Sequence, residues 1–252
     1  MKKVLIEEMT REEFREIMRS VKVAIIPTGS TEQHGPHLPL KTDTANAMYI
    51  IRKAAEALYP AVIVTPPVSV GFSPHHMNYP GSLTLRYETF ISIIFDLCES
   101  LKRHGIRKVA IVNGHGGNEH PGYLAAREAR DKLGLKVIFI SYWNLIPKEL
   151  WTSIIETKNV PGHAGEFETS MALAIYPKLV SSMLPKSAES IRHIQGLIFN
   201  TDEILKDGYS DNPSLASAEK GEKILEAAIN GLVSLLQDFI REDGDSRGSS
   251  TT

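Results

Sequence analysis

Short apolar runs alternate with amphipathic stretches through about the first 145 residues, and this alternation limits the fold more than any other feature. Lys22 to Pro27 is a nearly continuous apolar run, the pattern of a strand buried on both faces. Asp43 to Leu58 carries Ala47, Ile50, Ile51, Ala54, Ala55 and Leu58 at helical spacing. Ala61 to Val70 reads as a second strand, interrupted by Pro66 and Pro67, and Gly71 to Leu85 has the composition of a loop. Arg86 to Arg103 is a long amphipathic helix that Gly105 ends. Arg107 to Val112 and Leu135 to Ser141 are two further strands, separated by a helix over Glu119 to Leu133. Strand–loop–helix alternation of this kind predicts an α/β fold: a mostly parallel sheet flanked by helices on both faces.

Outside that region, Thr10 with Glu13 three residues on forms a capping-box signature, and Phe14, Ile17 and Met18 give the helix behind it an apolar face. Gly165 to Tyr176 is helical and stopped by Pro177. Val180 to Pro213 is less regular, and Ser217 to Glu242 closes the domain as a helix. With no internal repeat and no linker, residues 1–243 are expected to form a single domain, and the Gly/Ser/Asp-rich stretch 244–252 a disordered tail.

Bulk properties exclude several classes of function. The net charge of −2 over 252 residues provides no general attraction to nucleic acid or anionic membrane. Cys98 is the only cysteine, so a disulfide within the chain, a cysteine-rich zinc site and an iron–sulfur cluster are all ruled out. The start of the chain lacks the apolar core of a signal peptide, and no run reaches the roughly 18 apolar residues of a membrane span. The chain therefore reads as cytoplasmic.

Chemistry in a parallel α/β sheet gathers outside the carboxyl ends of the strands. There the first strand runs into Ser-Thr-Glu-Gln-His-Gly-Pro-His-Leu-Pro-Leu-Lys-Thr-Asp, which holds Glu32, His34, His37 and Asp43. The third strand runs into Asn113-Gly-His-Gly-Gly-Asn118, and the fourth into Tyr142-Trp143-Asn144. A later cluster, His163-Ala-Gly-Glu-Phe-Glu-Thr-Ser170, opens a helix. Glu32 and His34 stand two apart, so both reach one region from the same side of an extended loop. Asp43 has two oxygens with which to bridge two ions, although an aspartate there would also serve as an ordinary helix cap. Mixed imidazole and carboxylate donors suit Zn, Mn or Fe, and two such ions can share a bridging hydroxide that is nucleophilic at neutral pH.

The remaining polar residues divide less cleanly. Glu166 and Glu168 point about 200° apart on a helix, so one of them enters the site and the other makes a structural bond. His75 and His76 lie in a loop able to flank the pocket, but adjacent histidines in a loop are more often solvated or satisfied locally. His37, His104, His120 and His193 are assigned no role. Trp143 is placed either as a pocket wall or as core. Asn113-Gly-His-Gly-Gly-Asn118 has the wrong spacing for a dinucleotide fingerprint, and no Walker-type lysine follows it. A Gly-x-Ser-x-Gly elbow is absent and Cys98 sits in an apolar helix, so no serine or cysteine nucleophile is indicated.

Three of these clusters, the loop that ends at Asp43, Asn113–Asn118 and His163–Ser170, in this order and across most of the chain, resemble the creatininase (creatinine amidohydrolase) family. The resemblance implies a single α/β domain, two divalent metal ions (Zn, Mn or Fe), hydrolysis of an amide-type C–N bond in a small molecule, and a closed homo-oligomer, commonly a hexamer. Carried over by motif, Glu32 and His115 hold one metal, His34 holds the other, and Asp43 bridges them. The pattern in creatininase places a further carboxylate two residues after the motif histidine, where this chain has Gly117. Relatives with Asn-Gly-His-Gly-Gly-Asn carry Glu at position 166, so Glu166 is assigned to the second metal, with Glu168 as the substitute. A Trp and a Glu near the catalytic histidine are also missing here, replaced by Asn159-Val-Pro-Gly162. The reaction class therefore transfers better than the substrate.

The resulting expectation is a metal-dependent amidohydrolase, not creatininase itself, acting on a small cyclic amide or formamide. His163 donates a proton to the leaving nitrogen, backbone N–H groups of the Gly116–Gly117 turn steady the oxyanion, and Trp143, His75 and Gly116 border the pocket. Two alternatives accompany it: a peptide-trimming hydrolase of cofactor maturation, and a non-catalytic metal-binding oligomer on the same scaffold.

Overall fold

The alternation resolves into four strands: β1 (Val23–Thr28), β2 (Val62–Val64), β3 (Lys108–Asn113) and β4 (Lys136–Ser141). They form one parallel sheet in the order β2-β1-β3-β4 in a computed structural model that describes residues 2–188 and 196–242. Helices α1 (Arg11–Ile17), α2 (Thr42–Ala57), α3 (Tyr87–Arg103) and α4 (Glu119–Leu133) accompany the strands. Behind them come α5 (Lys148–Ile154), α6 (Glu166–Ile175), the short α7 (Thr201–Ile204) and α8 (Ala218–Arg241). The chain moves from β1 outward to β2, then back across β1 to β3 and on to β4. Right-handed crossovers in opposite directions put their helices on opposite faces. Accordingly α2 lies on one face of the sheet, and α3 and α4 on the other.

Side-chain alternation along the strands feeds both layers. Val23, Ile25, Val62, Val64, Ala110 and Val112 pack with α2, α6 and α8. Ala24, Ile26, Ile63, Val109 and Ile111 pack with α3 and α4. Helix α8 contributes a seam of Ile224, Leu225, Ala228, Leu232, Leu236 and Phe239, all buried. Each large apolar side chain so buried stabilises the fold by about 1.5–3 kcal/mol, which is how a helix so late in the chain comes to sit under the sheet.

Thr10 and Glu13 form the expected capping box, with Thr10 N–H donating to Glu13 at 2.8 Å and Glu13 N–H to Thr10 at 3.3 Å. The second strand is shorter than expected. Pairing stops at Val64 because Pro66 and Pro67 carry no N–H to donate, and only Val68 returns to bridge Thr28. Helix α5 was not foreseen. His193 and the expected tail, 244–252, lie outside the described residues. Among the described residues no helix is long and apolar enough to cross a membrane.

Because the strand order reverses between β1 and β3, a crevice opens where their carboxyl ends diverge. Thr28 and Asn113 are paired there, and Thr28 Oγ1 donates to Asn113 Oδ1 at 3.0 Å. The loops after both strands therefore begin side by side. Gly114 then passes so close to the start of α2 that a Cβ on it would overlap the Asp43 carbonyl and Ala47. That glycine is what lets the β3 loop meet the β1 loop.

Candidate metal centre

Four of the five expected ligands converge in this crevice, all buried: Glu32, His34, Asp43 and His115. Asp43 is at the centre. It does not cap its helix; Lys41 occupies that position and Asp43 lies one residue inside the first turn. Its two oxygens face different partners, Oδ1 lying 2.9 Å from His34 Nε2 and Oδ2 3.0 Å from His115 Nδ1. Glu32 Oε1 is 3.3 Å from the same His115 nitrogen. Ligand atoms about 2.0–2.2 Å from a shared ion stand ~3.0–3.5 Å from each other, so these separations suit a common cation.

The outer nitrogens are committed elsewhere. His34 Nδ1 donates to the Glu32 carbonyl at 3.1 Å, which leaves Nε2 for the site. His115 Nε2 lies 3.1 Å from the Phe72 carbonyl and 3.0 Å from Ser73 Oγ, which leaves Nδ1. An imidazole that ligates a metal is held in this way, its other N–H on a backbone carbonyl. Two buried oxygens make no hydrogen bond: Glu32 Oε2, and Asp43 Oδ2, whose 3.0 Å approach to His115 Nδ1 is a close ion-pair contact only. An unpartnered buried carboxylate oxygen is costly unless a cation neutralises it, so the residues present fit a divalent metal.

Electrostatics agree. Burial works against charge on His34, but Asp43, with Glu168 and Glu32 behind it, outweighs burial and raises the imidazole pKa to about 10. Burial likewise opposes charge on His115, and Glu32 and Asp43 override it, so its pKa lies well above the ordinary 6.5. Glu32 is held well below the usual carboxylate range: burial pushes it up, and the charges of His115 and His76 more than compensate. The field of the cluster calls for positive charge at the points where the ligand atoms converge.

The fifth assignment is corrected. Glu166 does not enter the cluster. Its fully buried carboxylate accepts from the N–H groups of Glu156 (3.1 Å) and Thr157 (2.9 Å) and from Lys220 Nζ (2.6 Å). Glu168, on the other side of α6, points inward, with Oε2 3.8 Å from His34 Nε2. Three groups of donor atoms result: His34, His163 and Glu168; Glu32, Asp43 and His115; and Glu32, His76 and His163. Burial raises Glu168 to a pKa of about 7 against the pull of His34. Gly117, where a carboxylate was expected from the resemblance, has no room for any side chain; a Cβ would overlap the Phe72 carbonyl and the His115 ring.

His163 approaches from the far wall, its Nδ1 3.9 Å from Glu32 Oε1 and its Nε2 3.0 Å from the Gln33 carbonyl. Burial, reinforced by the charges of His34 and His76, keeps its pKa well below 6.5, so the ring is neutral. Two neighbours to which the sequence assigned no role in the site complete the wall. His76 is buried, its Nε2 3.3 Å from Glu32 Oε1. The Gln33 amide nitrogen lies 3.1 Å from His76 Nδ1 and 2.8 Å from His163 Nε2. Gln33 lies between two recognised ligands, and that position was the only signal available. His75 stacks on His115 with ring centroids 5.8 Å apart. His75, Gly116 and Trp143 line a cavity of about 260 Å³ together with Phe199 and Leu205. His37, bonded to Thr169 at 2.9 Å, stays outside the cluster, as do the exposed His104 and His120.

Residues 7–236 match the family model of creatininase, creatinine amidohydrolase. Creatinine amidohydrolase of Pseudomonas putida is 28% identical over 260 residues, which span 96% of this chain and 98% of that protein. The mycofactocin precursor peptide peptidase of Mycolicibacterium smegmatis is 29% identical over 228 residues, 86% of this chain and 85% of the relative. The 3-dehydro-scyllo-inosose hydrolase of Thermotoga maritima is 27% identical over 267 residues, 94% of this chain and 84% of the relative. A manganese creatininase structure superposes with a TM-score of 0.83 at 26% identity, covering 95% of this chain and 99% of its own. A zinc–zinc form of a creatininase mutant gives 0.82 at the same identity and coverage. The extent of the family match, over a shared fold, shows that the chain belongs to the creatininase family.

Proposed function

We infer that the protein is a two-metal amidohydrolase that cleaves a C–N bond of a small cyclic amide or formamide. The observation that carries this reading is Asp43, whose two oxygens lie 2.9 Å and 3.0 Å from two different histidines, His34 and His115. In this reading Glu32, His115 and one oxygen of Asp43 hold one ion. His34 and Glu168, with Asp43, would hold the second. When bound, such ions supply an activated water and polarise a carbonyl.

The protein's own residues do the rest. His163, neutral and with Nδ1 turned towards Glu32, takes the proton released as water attacks and delivers it to the departing nitrogen. The expected donor role thus begins with acceptance. The N–H groups of Gly116 and Gly117 precede the first turn of α4, and among the described residues neither has a partner, so both are available to a developing oxyanion. Gln33 and His76 hold Glu32 and His163 in place through the contacts described above. Trp143, Phe199, Ile204 and Leu205 give one wall an apolar surface against which a flat ring packs.

A peptide substrate is the second reading, supported by likeness to the mycofactocin precursor peptidase. The reading extends to a closed homo-oligomer, a hexamer. Strand β4 leaves one sheet edge open, and Tyr123 and Leu124 on the neighbouring α4 are 64% and 53% exposed. Elemental analysis together with a screen of zinc- and manganese-reconstituted protein tests the proposal, using creatinine, lactams, hydantoins, formamidopyrimidines and short peptides. About two ions per chain and turnover of a cyclic amide or formamide are expected. Carefully purified protein that binds no ion would leave the non-catalytic scaffold as the better account.

A further inference from the structure

Three non-glycine residues among those described have left-handed backbone conformations: Lys158 (φ 55°), Ala164 (φ 48°) and Asp211 (φ 51°). Two belong to the segment that carries His163, and the third faces it. Each such conformation costs about 1–3 kcal/mol and persists only where surrounding contacts enforce it. The enforcing contacts are specific. Ser210 Oγ accepts from His163 N–H at 2.9 Å, and Ser210 N–H donates to the His163 carbonyl at 2.7 Å. Ser210 Oγ in turn donates to Asp211 Oδ2 at 2.9 Å. Asp211 also accepts from Asn159 Nδ2 (2.9 Å), Glu166 N–H (2.8 Å) and Asn212 N–H (2.7 Å). The next amide along, Ala164 N–H, donates to Glu168 Oε2 at 2.6 Å. Gly165 lies against Asp211 so closely that a Cβ would overlap the carboxylate.

We propose that Ser210 and Asp211 form a latch that positions the His163 ring over the donor cluster. The proposal rests on the reading of His163 as the proton carrier. Both main-chain groups of His163 end on Ser210, so the Cα of the histidine is fixed from outside its own segment. Asp211 keeps that segment closed on both sides of the ring, through Asn159 before it and Glu166 after it. The ring meets Gln33 at Nε2 and packs against the His34 and His76 rings, with centroids 4.6 and 4.5 Å apart. The ring keeps these neighbours only while its Cα stays where Ser210 and Asp211 hold it. Neither Ser210 nor Asp211 lines the cavity. Both are positioning residues.

The test uses the full chain reconstituted with zinc, as wild type, Ser210→Ala, Ser210→Thr and Asp211→Asn. Carbethoxylation by diethyl pyrocarbonate is followed at each histidine by mass spectrometry, with zinc content measured in parallel. In Ser210→Ala the His163 rate should rise roughly five- to tenfold, the factor that loss of one or two hydrogen bonds gives a local opening. His104 and His120, both exposed, should keep their rates, and zinc should stay at the wild-type level. Ser210→Thr restores the hydroxyl and should restore protection. Asp211→Asn should fall between, because it sets an amide donor against the Asn159 amide. An unchanged His163 rate in Ser210→Ala overturns the proposal. So does an equal rise at every histidine, or loss of zinc, since either would mean general loosening or support of the donor cluster. With a substrate in hand, kcat should fall about 10–100-fold with KM unchanged. If the wild type turns over nothing while His163 responds as expected, the amidohydrolase reading fails and the latch stands.

Discussion

Lys220→Met separates a structural role for Glu166 from a metal-binding one. The Glu166 side chain is fully buried, and among the described residues Lys220 is the only cation in contact with it, at 2.6 Å with its own side chain 20% exposed. Removing one partner of a fully buried ion pair costs about 3–5 kcal/mol. Two features reduce that here: Lys220 is partly solvated, and Glu166 keeps the N–H groups of Glu156 and Thr157. A loss of about 2–3 kcal/mol is therefore expected, or ~5–10 °C in Tm for a domain of this size. Zinc content should not change, because the pair lies outside the donor cluster. The pH dependence gives a second check. Burial opposes charge on Glu166, but Lys220 and the two amides prevail and lower its pKa from the ordinary 4.5. The contribution of the pair is thus complete above about pH 4.5 and fades as pH falls through the lowered value. Wild type and Lys220→Met should converge in stability in that acid range. Thermal and urea unfolding of both proteins, with elemental analysis, decides the matter. A variant that loses an ion while its Tm is unchanged would refute the reasoning and return Glu166 to the metal.

Glu168→Gln should lose one ion of two, and Asp43→Ala both, by elemental analysis after dialysis; two tightly bound ions in Asp43→Ala would exclude bridging. His163→Ala should retain the metals and lose about 10²–10⁴-fold in kcat, measured on whichever substrate the screen yields. Gly117→Ala should weaken zinc binding, since its Cβ would displace the His115 ring or the Phe72 carbonyl, and a competitive chelator titration measures the change. In chelator-treated protein the raised His34 pKa contributes stability fully below pH 6.5, and this is lost as pH rises towards about 10. Urea unfolding from pH 6 to 10 should show that decline, whereas the zinc-loaded protein, whose ligands bind as neutral imidazoles, should not follow it.

The sheet was legible because its strands are short apolar runs flanked by helix-forming stretches, and only Pro66 and Pro67 shortened one of them. Donors in the loops that follow β1 and β3 were legible too: Glu32, His34, Asp43 and His115 all reach the crevice. The error at Glu166 has a definite cause. Two carboxylates two residues apart at a helix start point to opposite sides, and local spacing does not say which side faces the sheet. That choice is made by Lys220, more than fifty residues later in sequence, which claims Glu166 and leaves Glu168 inward. His76 was misjudged for a related reason. Adjacent histidines are often solvated, but here the loop folds over β1 and the second ring is buried against Glu32.

Reaction class and substrate are recorded in different parts of this fold. The proposed ligands sit on β1 and β3 loops and on the first turns of α2 and α6, all anchored to buried elements. Moving any of them by an ångström would disturb the sheet or the α6–α8 packing, so the geometry of the donor cluster is tied to the stability of the core. The outer wall has no such tie. Pro161, Gly162, Phe199, Ile204 and Leu205 come from a loop and from the irregular region around the short α7, and they can change without cost to the sheet. A hydrolase built this way can acquire a new substrate by altering that wall while its proton carrier stays aimed. That separation requires the carrier to be held from behind, by groups outside the cavity. Ser210 and Asp211 are placed to do so, and they lie in the same stretch that supplies the wall, only a few residues beyond Leu205. Substitutions in the wall are therefore expected to shift KM between substrates, and substitutions in the latch to lower kcat for all of them alike.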